Sequence, residues 1–404
     1  MSTSLIYHAW GLVGYQYLKT EYVNGSIIIS VQKNPGKLCC PDCDSFNIIR
    51  RGTITRLIKT TPIGKKSVFL RIIIQRIECR QCHCIKQEKL YFAEPKKSYS
   101  KLLARYVLDL SKKMTIHDIA RHLDMSWDTV KEIIKTYLKK HVAKPKLKHL
   151  ELLAIDEISI GKHHRYLTVV LDLVSGAVVF VGKGKGANSL NPFWKRLKRS
   201  NANIQAIAID MSPAYIQAVR THLPQATIVF DHFHIIKMYN DKLSKLRRQL
   251  YHHVKNYKYA EVLKGILWLL LKNPENLDDS KDEKERLNKA LKLNKPLATA
   301  YYMKEELRQL WKQDDKDHAH TYLEQWISKA RASGINMLKK FANTLSLHRY
   351  GILAYYDYYI STGPLEGTNN KIKTMQRQAY GFRDNEFFML KILTIHKTKY
   401  ALIG

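Results

Sequence analysis

The apolar positions divide the first third of the chain into two segments with different periods. Residues 1–92 carry alternating or β-branched runs such as 68–74, separated by glycine and proline, which is typical of short strands and turns. Residues 98–140 change to a helical period, with lysine- and proline-rich breaks on both sides. The pattern predicts a small β-rich domain over 1–92 and a helical domain over 98–140.

Beyond residue 150 strand and helix patterns alternate. Between 151 and 231 the sequence gives three strand-like runs and then two strand–helix repeats, the order that opens an RNase H-like sheet. Residues 232 to about 345 are helical in pattern, and a single amphipathic helix follows Ser361. We therefore predict an α/β RNase H-like core over 150–404, interrupted at about 240–345 by a helical insertion.

The charge of the chain points to a polyanionic partner. Among 404 residues, 68 lysines and arginines stand against 35 aspartates and glutamates, giving a formal net charge of +33. Hydrophobic residues make up 45%, too many for a disordered basic tail, so the charge must lie on folded surfaces. DNA is the partner that this surface predicts.

No segment predicts a membrane anchor or a secretion signal. The first residues lack a basic start and a sustained apolar run. The longest apolar stretch, 265–271, is far shorter than the roughly 20 residues that span a bilayer. We expect a soluble, cytoplasmic protein.

All six cysteines lie between residues 39 and 84, which does not resemble a secreted disulfide framework. Four of them form two Cys-x2-Cys pairs: Cys40 with Cys43, and Cys79 with Cys82. Two such pairs can close a tetrahedral structural Zn²⁺ site that serves folding or DNA docking. Scattered free cysteines are the alternative. The ligand set stays open by one residue at each pair because further candidates are adjacent: Cys39, His83 and Cys84.

Residues 115–138 have the pattern of a helix-turn-helix. Thr115 and Ser126 can cap two helices, with a turn at 123–125 between them. The second helix would then enter the major groove of DNA. Its predicted DNA contacts are Trp127, Lys131 and Lys135. Any small helical hairpin shows a similar period, but the net charge favours DNA binding.

Three acidic residues occupy positions suited to metal binding. Asp156 and Asp210 each follow an apolar strand, where an unpaired carboxylate is costly unless a divalent cation shares it. Glu366 lies near the start of the helix predicted at Gly363. Three residues share its helical face and are predicted to contact DNA: Asn370, Lys373 and Arg377. Taken singly, each acid is equally explained as a turn-starting or capping residue.

Taken together, the three acids can hold two Mg²⁺ or Mn²⁺ ions about 3.5 to 4 Å apart, as in-line phosphoryl transfer requires. The segments AIDEISI, AIDMSPAY, FDHFHIIKMYNDKL and GPLEGTNNKIKTMQRQAYGFR follow the cysteine pairs and the helix-turn-helix. In this combination the chain resembles the ISL-three family of bacterial insertion-sequence transposases.

The resemblance implies both an activity and a set of partners. Asp156, Asp210 and Glu366 match the Asp-Asp-Glu triad of the family. The implied enzyme binds terminal inverted repeats, cleaves at the element ends and joins the 3′-hydroxyls to target DNA. It would work in the bacterial cytoplasm at the nucleoid, at least as a dimer on DNA. Three more residues lie in a family motif, with metal contact, DNA contact and a structural hydrogen bond all left open: Asp231, His232 and His234.

A basic segment between 231 and 260 predicts a helix that lies along DNA phosphates. It contains seven lysines and arginines: Lys237, Lys242, Lys245, Arg247, Arg248, Lys255 and Lys258. Arg247 and Arg248 are the predicted DNA contacts, and a solvated face is the alternative.

Two other functions stay open for the whole chain. One is a DNA-binding regulator with a catalytically silent RNase H-like scaffold, and the other is a nuclease without strand transfer.

Overall fold

The computed structural model describes residues 5–161, 165–253 and 257–396. The chain forms two compact units. The first contains the described residues up to Ala143 together with Gly381–Leu390, and the second contains Lys144–Tyr380 and Lys391–His396. No helix in these ranges is long and apolar enough to cross a membrane.

The first unit begins with a short helix and a five-stranded sheet. Its elements are α1 (Leu5–Trp10), β1 (Tyr15–Val23), β2 (Ser26–Lys33), β3 (Ile48–Ile63), β4 (Lys66–Cys79) and β5 (Ile85–Gln87). The order is β1-β2-β4-β3, with β5 also paired to β4. Val31, Ile58 and Leu70 are fully buried on one face, where Trp10 packs against them. The β-rich character predicted for this region is confirmed.

Three helices follow in the same unit: α2 (Lys101–Leu110), α3 (Ile116–His122) and α4 (Trp127–His141). Thr115 caps α3 in a reciprocal capping box with Asp118, and the Ser126 hydroxyl caps α4 by accepting from the Thr129 N–H. Ile119 and Val130 meet in the core between α3 and α4. Both predicted caps are confirmed.

The sheet of the second unit mixes antiparallel and parallel pairing. Its strands are β6 (Leu152–Gly161), β7 (Arg165–Asp172), β8 (Val178–Lys183), β9 (Ala206–Ile209) and β10 (Thr227–Phe230), in the order β10-β9-β6-β7-β8. β6, β7 and β8 pair antiparallel, whereas β9 and β10 run parallel to β6. The carboxyl ends of β6, β8, β9 and β10 therefore point to one edge of the sheet.

Helices cover this sheet and continue into the long helical segment. They are α5 (Asn191–Ser200), α6 (Pro213–His222), α7 (His232–His253), α8 (Tyr257–Gly265), α9 (Leu267–Leu271), α10 (Glu283–Leu293), α11 (Lys295–Arg308), α12 (Lys316–Ala332), α13 (Asn336–Leu353), α14 (Tyr355–Tyr358) and α15 (Gly363–Gln378). The next helix, α16 (Asn385–Ile392), lies mostly in the first unit. One hydrophobic cluster joins the sheet residue Ile207 to Tyr239 of α7 and Trp326 of α12. A Cβ on Gly351 of α13 would lie 2.5 Å from the Phe230 ring, so glycine lets α13 approach β10 closely.

The prediction of a single helix after Ser361 was wrong. Tyr380 and Gly381 have φ values of +50° and +97°, and this left-handed backbone separates α15 from α16. Phe387 and Leu390 of α16 then enter the hydrophobic core formed by α2, α3 and α4. The start of α16 therefore belongs to the helix-turn-helix unit.

Candidate active site

Asp156 and Asp210 lie side by side on one face of the second sheet. Ala154 of β6 is paired with Ala208 of β9, and each aspartate stands two residues further along its chain. Since side chains two residues apart in a strand share a face, both carboxylates emerge together beyond this pair. The structure thus brings together two of the three acids predicted from the sequence.

The surroundings of these aspartates oppose their ionisation. Burial raises the pKa of Asp156, and the charge of Asp210 raises it further. Burial likewise raises the pKa of Asp210, with the charge of Glu157 adding to the shift. A divalent cation offsets this cost because it supplies the positive charge that the pair lacks. The donor set therefore fits such an ion.

Glu366 lies on α15, which packs along β6. Thr362 is the N-cap of this helix and makes no side-chain capping bond, so Glu366 does not act as the glutamate of a capping box. Its side chain is exposed. Among the described residues, no group of three acids brings its ligand atoms within 4.8 Å of one another. Glu366 therefore lies on the neighbouring helix α15 but does not form a compact cluster with the two aspartates.

Asn369, which the sequence analysis missed, joins α15 to the aspartates. Its Nδ2 donates a hydrogen bond of 2.9 Å to Asp156 Oδ2. Its buried Oδ1 has no hydrogen-bond partner among the described residues, which leaves a neutral oxygen beside the carboxylates. The sequence signal was weak, because Asn369 is the first of two adjacent asparagines and only Asn370 shares the exposed face of Glu366. Lys373 and Arg377 are exposed on that face, as predicted.

The motif residues Asp231 and His234 form a second hydrogen-bonded group beside Asp156. Asp231 is buried directly after β10, and its Oδ2 accepts from the backbone N–H of His234 at 3.2 Å. Nδ1 of His234 lies 3.0 Å from the same oxygen, while Nε2 lies 3.9 Å from Asp156 Oδ1. Burial lowers the pKa of His234, but Asp231 and Asp156 outweigh it and raise the pKa overall. His232 is half exposed beside them.

Four cysteines of the first unit form a tight cluster. Their sulfur atoms all lie within 4.8 Å of one another: Cys40, Cys43, Cys79 and Cys82. The two pairs have matching backbones. Asp44 and His83, which follow the pairs, have φ values of +56° and +58°, and each donates its N–H to the carbonyl of the first cysteine of its pair. This symmetry is suited to four-thiolate metal binding.

Two further cysteines differ in their relation to this cluster. Cys84 Sγ lies 3.3 Å from Cys40 Sγ, so it borders the cluster, whereas Cys39 does not belong to it. The N–H groups of Cys82 and Gln81 lower the pKa of the Cys79 thiol, which favours the thiolate that metals bind.

Comparison with known proteins decides the family. A transposase model of family ISL3, of the DDE type, matches residues 153–392, and the helix-turn-helix domain of transposase family ISL3 matches residues 88–138. The transposase for insertion sequence element IS1001 of Bordetella parapertussis is 33% identical over 388 residues, 95% of each chain. The chain belongs to transposase family ISL3. The resemblance drawn from its motifs is confirmed, and the protein is a DDE transposase, an enzyme that acts on DNA with divalent metal.

Two further relatives differ in how far they match this transposase. The transposase for insertion sequence element IS1557 of Mycobacterium tuberculosis is 28% identical over 305 residues, covering 69% of this chain and 68% of the relative. The strand transfer complex of the Drosophila P element transposase is 9% identical, with a TM-score of 0.38 over 72% of this chain and 90% of that one. A likeness of that degree does not establish a shared fold.

The helix-turn-helix of the transposase carries its predicted contact residues on α4. Trp127 is exposed, and Lys131 Nζ lies 5.2 Å from the centre of its ring. Lys131 and Lys135 also form ion pairs with Asp384, at 3.1 and 2.7 Å. The two lysines therefore already have acidic partners just before α16, which the sequence pattern did not reveal.

The structure corrects one predicted DNA contact on α7. Arg247 is buried, with 8% of its surface exposed, and its Nη1 donates to the Leu263 carbonyl at 2.8 Å. A buried guanidinium cannot reach a phosphate without unfolding its surroundings, so Arg247 is a packing residue. Arg248, the next residue of α7, is exposed. Lys255 lies outside the described residues.

Proposed function

We propose that the transposase binds the terminal inverted repeats of its element, cleaves at the element ends and joins the 3′-hydroxyls to target DNA. The observation that carries this proposal is the pair formed by Asp156, in the middle of β6, and Asp210, directly after the parallel neighbour β9. The helix that bears Glu366 is fastened to the same pair by Asn369. The sheet order β10-β9-β6-β7-β8 supports an RNase H-like core.

Asp156, Asp210 and Glu366 are the residues that would hold two Mg²⁺ or Mn²⁺ ions. When bound, such ions activate the attacking hydroxyl or water and stabilise the leaving 3′-oxygen. Asn369 orients Asp156 through its 2.9 Å hydrogen bond. Asn370, Lys373 and Arg377 would contact DNA from the exposed face of α15, in line with Glu366.

The cysteine cluster would hold one structural Zn²⁺. Two matched pairs with αL residues after them give four thiolates and no open position for a substrate, so the ion would serve folding. Cys40, Cys43, Cys79 and Cys82 are the proposed ligands. This site lies in the first unit, together with the helix-turn-helix.

Joining two element ends requires at least two active sites, so we infer a dimer or larger assembly on DNA. Its place would be the bacterial cytoplasm, at the nucleoid. A DNA-binding regulator with a silent scaffold is not favoured, because the transposase match covers the catalytic segment 153–392.

The test incubates the purified full chain with a short inverted-repeat duplex, a target plasmid and Mg²⁺, and looks for joined products. Wild-type protein should yield them, and Asp156→Asn should not. Glu151→Gln is the matched control, because Glu151 is an exposed acid just before β6. Cleavage without joining would support a nuclease instead. Binding without either reaction would support the regulator.

A further inference from the structure

A segment rich in lysine and glycine, residues 183–186, begins with the last residue of β8 and continues into the following loop; it is here called the Lys-Gly loop. Asp156 of β6 is paired with Val169 of β7, and Val169 with Val181 of β8. Since neighbouring strands are about 4.8 Å apart, β8 passes roughly 10 Å from Asp156 at this level. The loop therefore begins at the same edge of the sheet as the proposed active site.

Hydrogen bonds hold the Lys-Gly loop in one conformation. The N–H of Gly184 donates to the Tyr166 carbonyl at 2.9 Å, and the N–H of Gly186 donates to Glu157 Oε1 at 2.8 Å. The Tyr215 hydroxyl donates to the same Glu157 oxygen at 2.6 Å. Glu157 directly follows Asp156 in β6, so its side chain points to the opposite face of the sheet and fixes the end of the loop on that face.

The glycines are needed for this conformation. Gly184 and Gly186 have φ values of +90° and +85°, a region that other residues rarely adopt. A Cβ on Gly182, at the end of β8, would lie 2.4 Å from the Ser189 carbonyl oxygen. The loop is therefore built for a close backbone approach and carries only two longer side chains, Lys183 and Lys185.

Both lysines are exposed, and no carboxylate in the described part of the chain forms an ion pair with either. Lys185 Nζ lies 5.3 Å from the centre of the Tyr166 ring, which limits where its charge can lie. Two unpaired ammonium groups on a fixed loop suit the phosphate oxygens of a nucleic-acid backbone.

We propose that the Lys-Gly loop is a phosphate-binding site for the DNA strand held at Asp156 and Asp210. This proposal rests on the proposed function and adds to it a loop that binds the DNA backbone beside the reacting phosphate. Phosphate contacts do not depend on the base sequence, so the loop would bind element ends and target DNA equally.

The test compares Lys183→Gln/Lys185→Gln with Lys195→Gln/Lys198→Gln in the full chain. The second variant removes the same charge from exposed positions on α5. Affinity for an end duplex and for a random duplex is measured over a range of salt, along with end cleavage. The loop variant should flatten the salt slope by about two units for both duplexes and weaken binding about tenfold at low salt. Its cleavage rate should recover as DNA approaches saturation.

Equal salt slopes and equal cleavage for the two double variants would overturn the proposal. Gly184→Ala keeps both lysines but strains the loop, and it should weaken binding by an intermediate amount. Wild-type affinity and salt slope in Gly184→Ala would overturn the claim that the fixed conformation matters. If the wild-type protein failed to cleave, the proposed function would fall. The salt slopes would still test the loop.

Discussion

The Asp231 carboxylate accepts a hydrogen bond of 3.1 Å from the backbone N–H of Thr362, which lies 131 residues later in the chain. Asp231 directly follows β10, and Thr362 is the N-cap of α15. Together with the bond from Asn369 to Asp156, this bond ties the helix of Glu366 to the end of the sheet where Asp210 emerges. Asp231 is thus a positioning residue, and its burial keeps it away from DNA.

We predict that Asp231→Asn lowers end cleavage by about 10- to 100-fold, the usual cost of disturbing groups that orient metal ligands. The amide can no longer accept from both His234 and Thr362. The measurement is cleavage rate against Mg²⁺ concentration, with DNA affinity measured in parallel. Asp241→Asn, at an exposed position on α7, is the control. Unchanged cleavage in Asp231→Asn would show that the bond to Thr362 does not position α15.

We predict that Asp156→Asn, Asp210→Asn and Glu366→Gln each abolish end cleavage, and that they differ in stability. Without metal, the aspartate variants should melt a few degrees higher than wild type, roughly the effect of 1 kcal/mol in a unit of this size. They remove one of two partly buried like charges. Glu366→Gln should melt as wild type does, because its side chain is exposed. Calorimetry in chelator checks this, and equal melting temperatures for all four proteins would contradict it.

The stability difference should depend on pH. Because the folded-state pKa of Asp156 and Asp210 is raised above the ordinary value of 3.8, their contribution to stability is complete below that value. It is lost as the pH rises through the raised pKa values. The advantage of Asp156→Asn over metal-free wild type should therefore grow from pH 4 towards neutrality. Melting curves across that range, with and without Mg²⁺, measure it, and a difference that shrinks with pH would oppose this account.

We predict that Asp384→Asn strengthens binding to random DNA by up to about fivefold at low salt, because it releases Lys131, while Lys135 keeps its ion pair with Glu386 at 2.8 Å. Exposed ion pairs contribute at most about 1 kcal/mol, and salt screens them, so the gain should vanish at high salt. Asp128→Asn removes an exposed acid from α4 itself and is the charge-matched control. The same gain in both variants would mean that only net charge matters.

We predict that substitutions at two adjacent arginines of α7 change different properties: DNA binding for Arg248 and stability for Arg247. Arg248→Gln should weaken binding to specific and random duplexes alike and flatten the salt slope by about one unit. Arg247→Gln should leave the slope unchanged and lower the melting temperature, because it removes the buried bond to the Leu263 carbonyl. Affinity over a salt series and thermal melting separate the two. A changed salt slope in Arg247→Gln would place that side chain on DNA after all.

We predict one zinc ion per chain, lost in Cys43→Ser and kept in Cys39→Ser. Cys43 belongs to the four-sulfur cluster and Cys39 does not. Since folding and binding are coupled at such sites, loss of zinc should unfold the β-rich part of the first unit. Elemental analysis and circular dichroism are the measurements. Zinc retained by Cys43→Ser would move the ligand set to Cys84.

The sequence predicted those site residues whose position depends on local pattern. Asp210 directly follows β9, as predicted, whereas Asp156 does not end its strand, because β6 continues to Gly161 in its pairing with β7. Parallel pairing of β6 with β9 brings the two aspartates together. Asn369 contacts Asp156 across 213 residues of chain, and no local period records such a contact. Arg247 was recoverable, because it lies four residues after the buried Leu243 and so continues the apolar stripe of α7. Because arginine is charged, the sequence pattern did not assign Arg247 to the buried face of α7.

The return of the chain to the helix-turn-helix core has a consequence for inheritance. Phe387 and Leu390 complete a core whose other buried members lie before residue 144. A genetic crossover near residue 144 would therefore combine the DNA-binding helices of one element with the terminal helix of another. Such hybrids would pair mismatched surfaces and leave Lys131 and Lys135 opposite foreign side chains. Recombination between related elements is thus expected to keep the segments that encode residues 101–141 and 381–390 together.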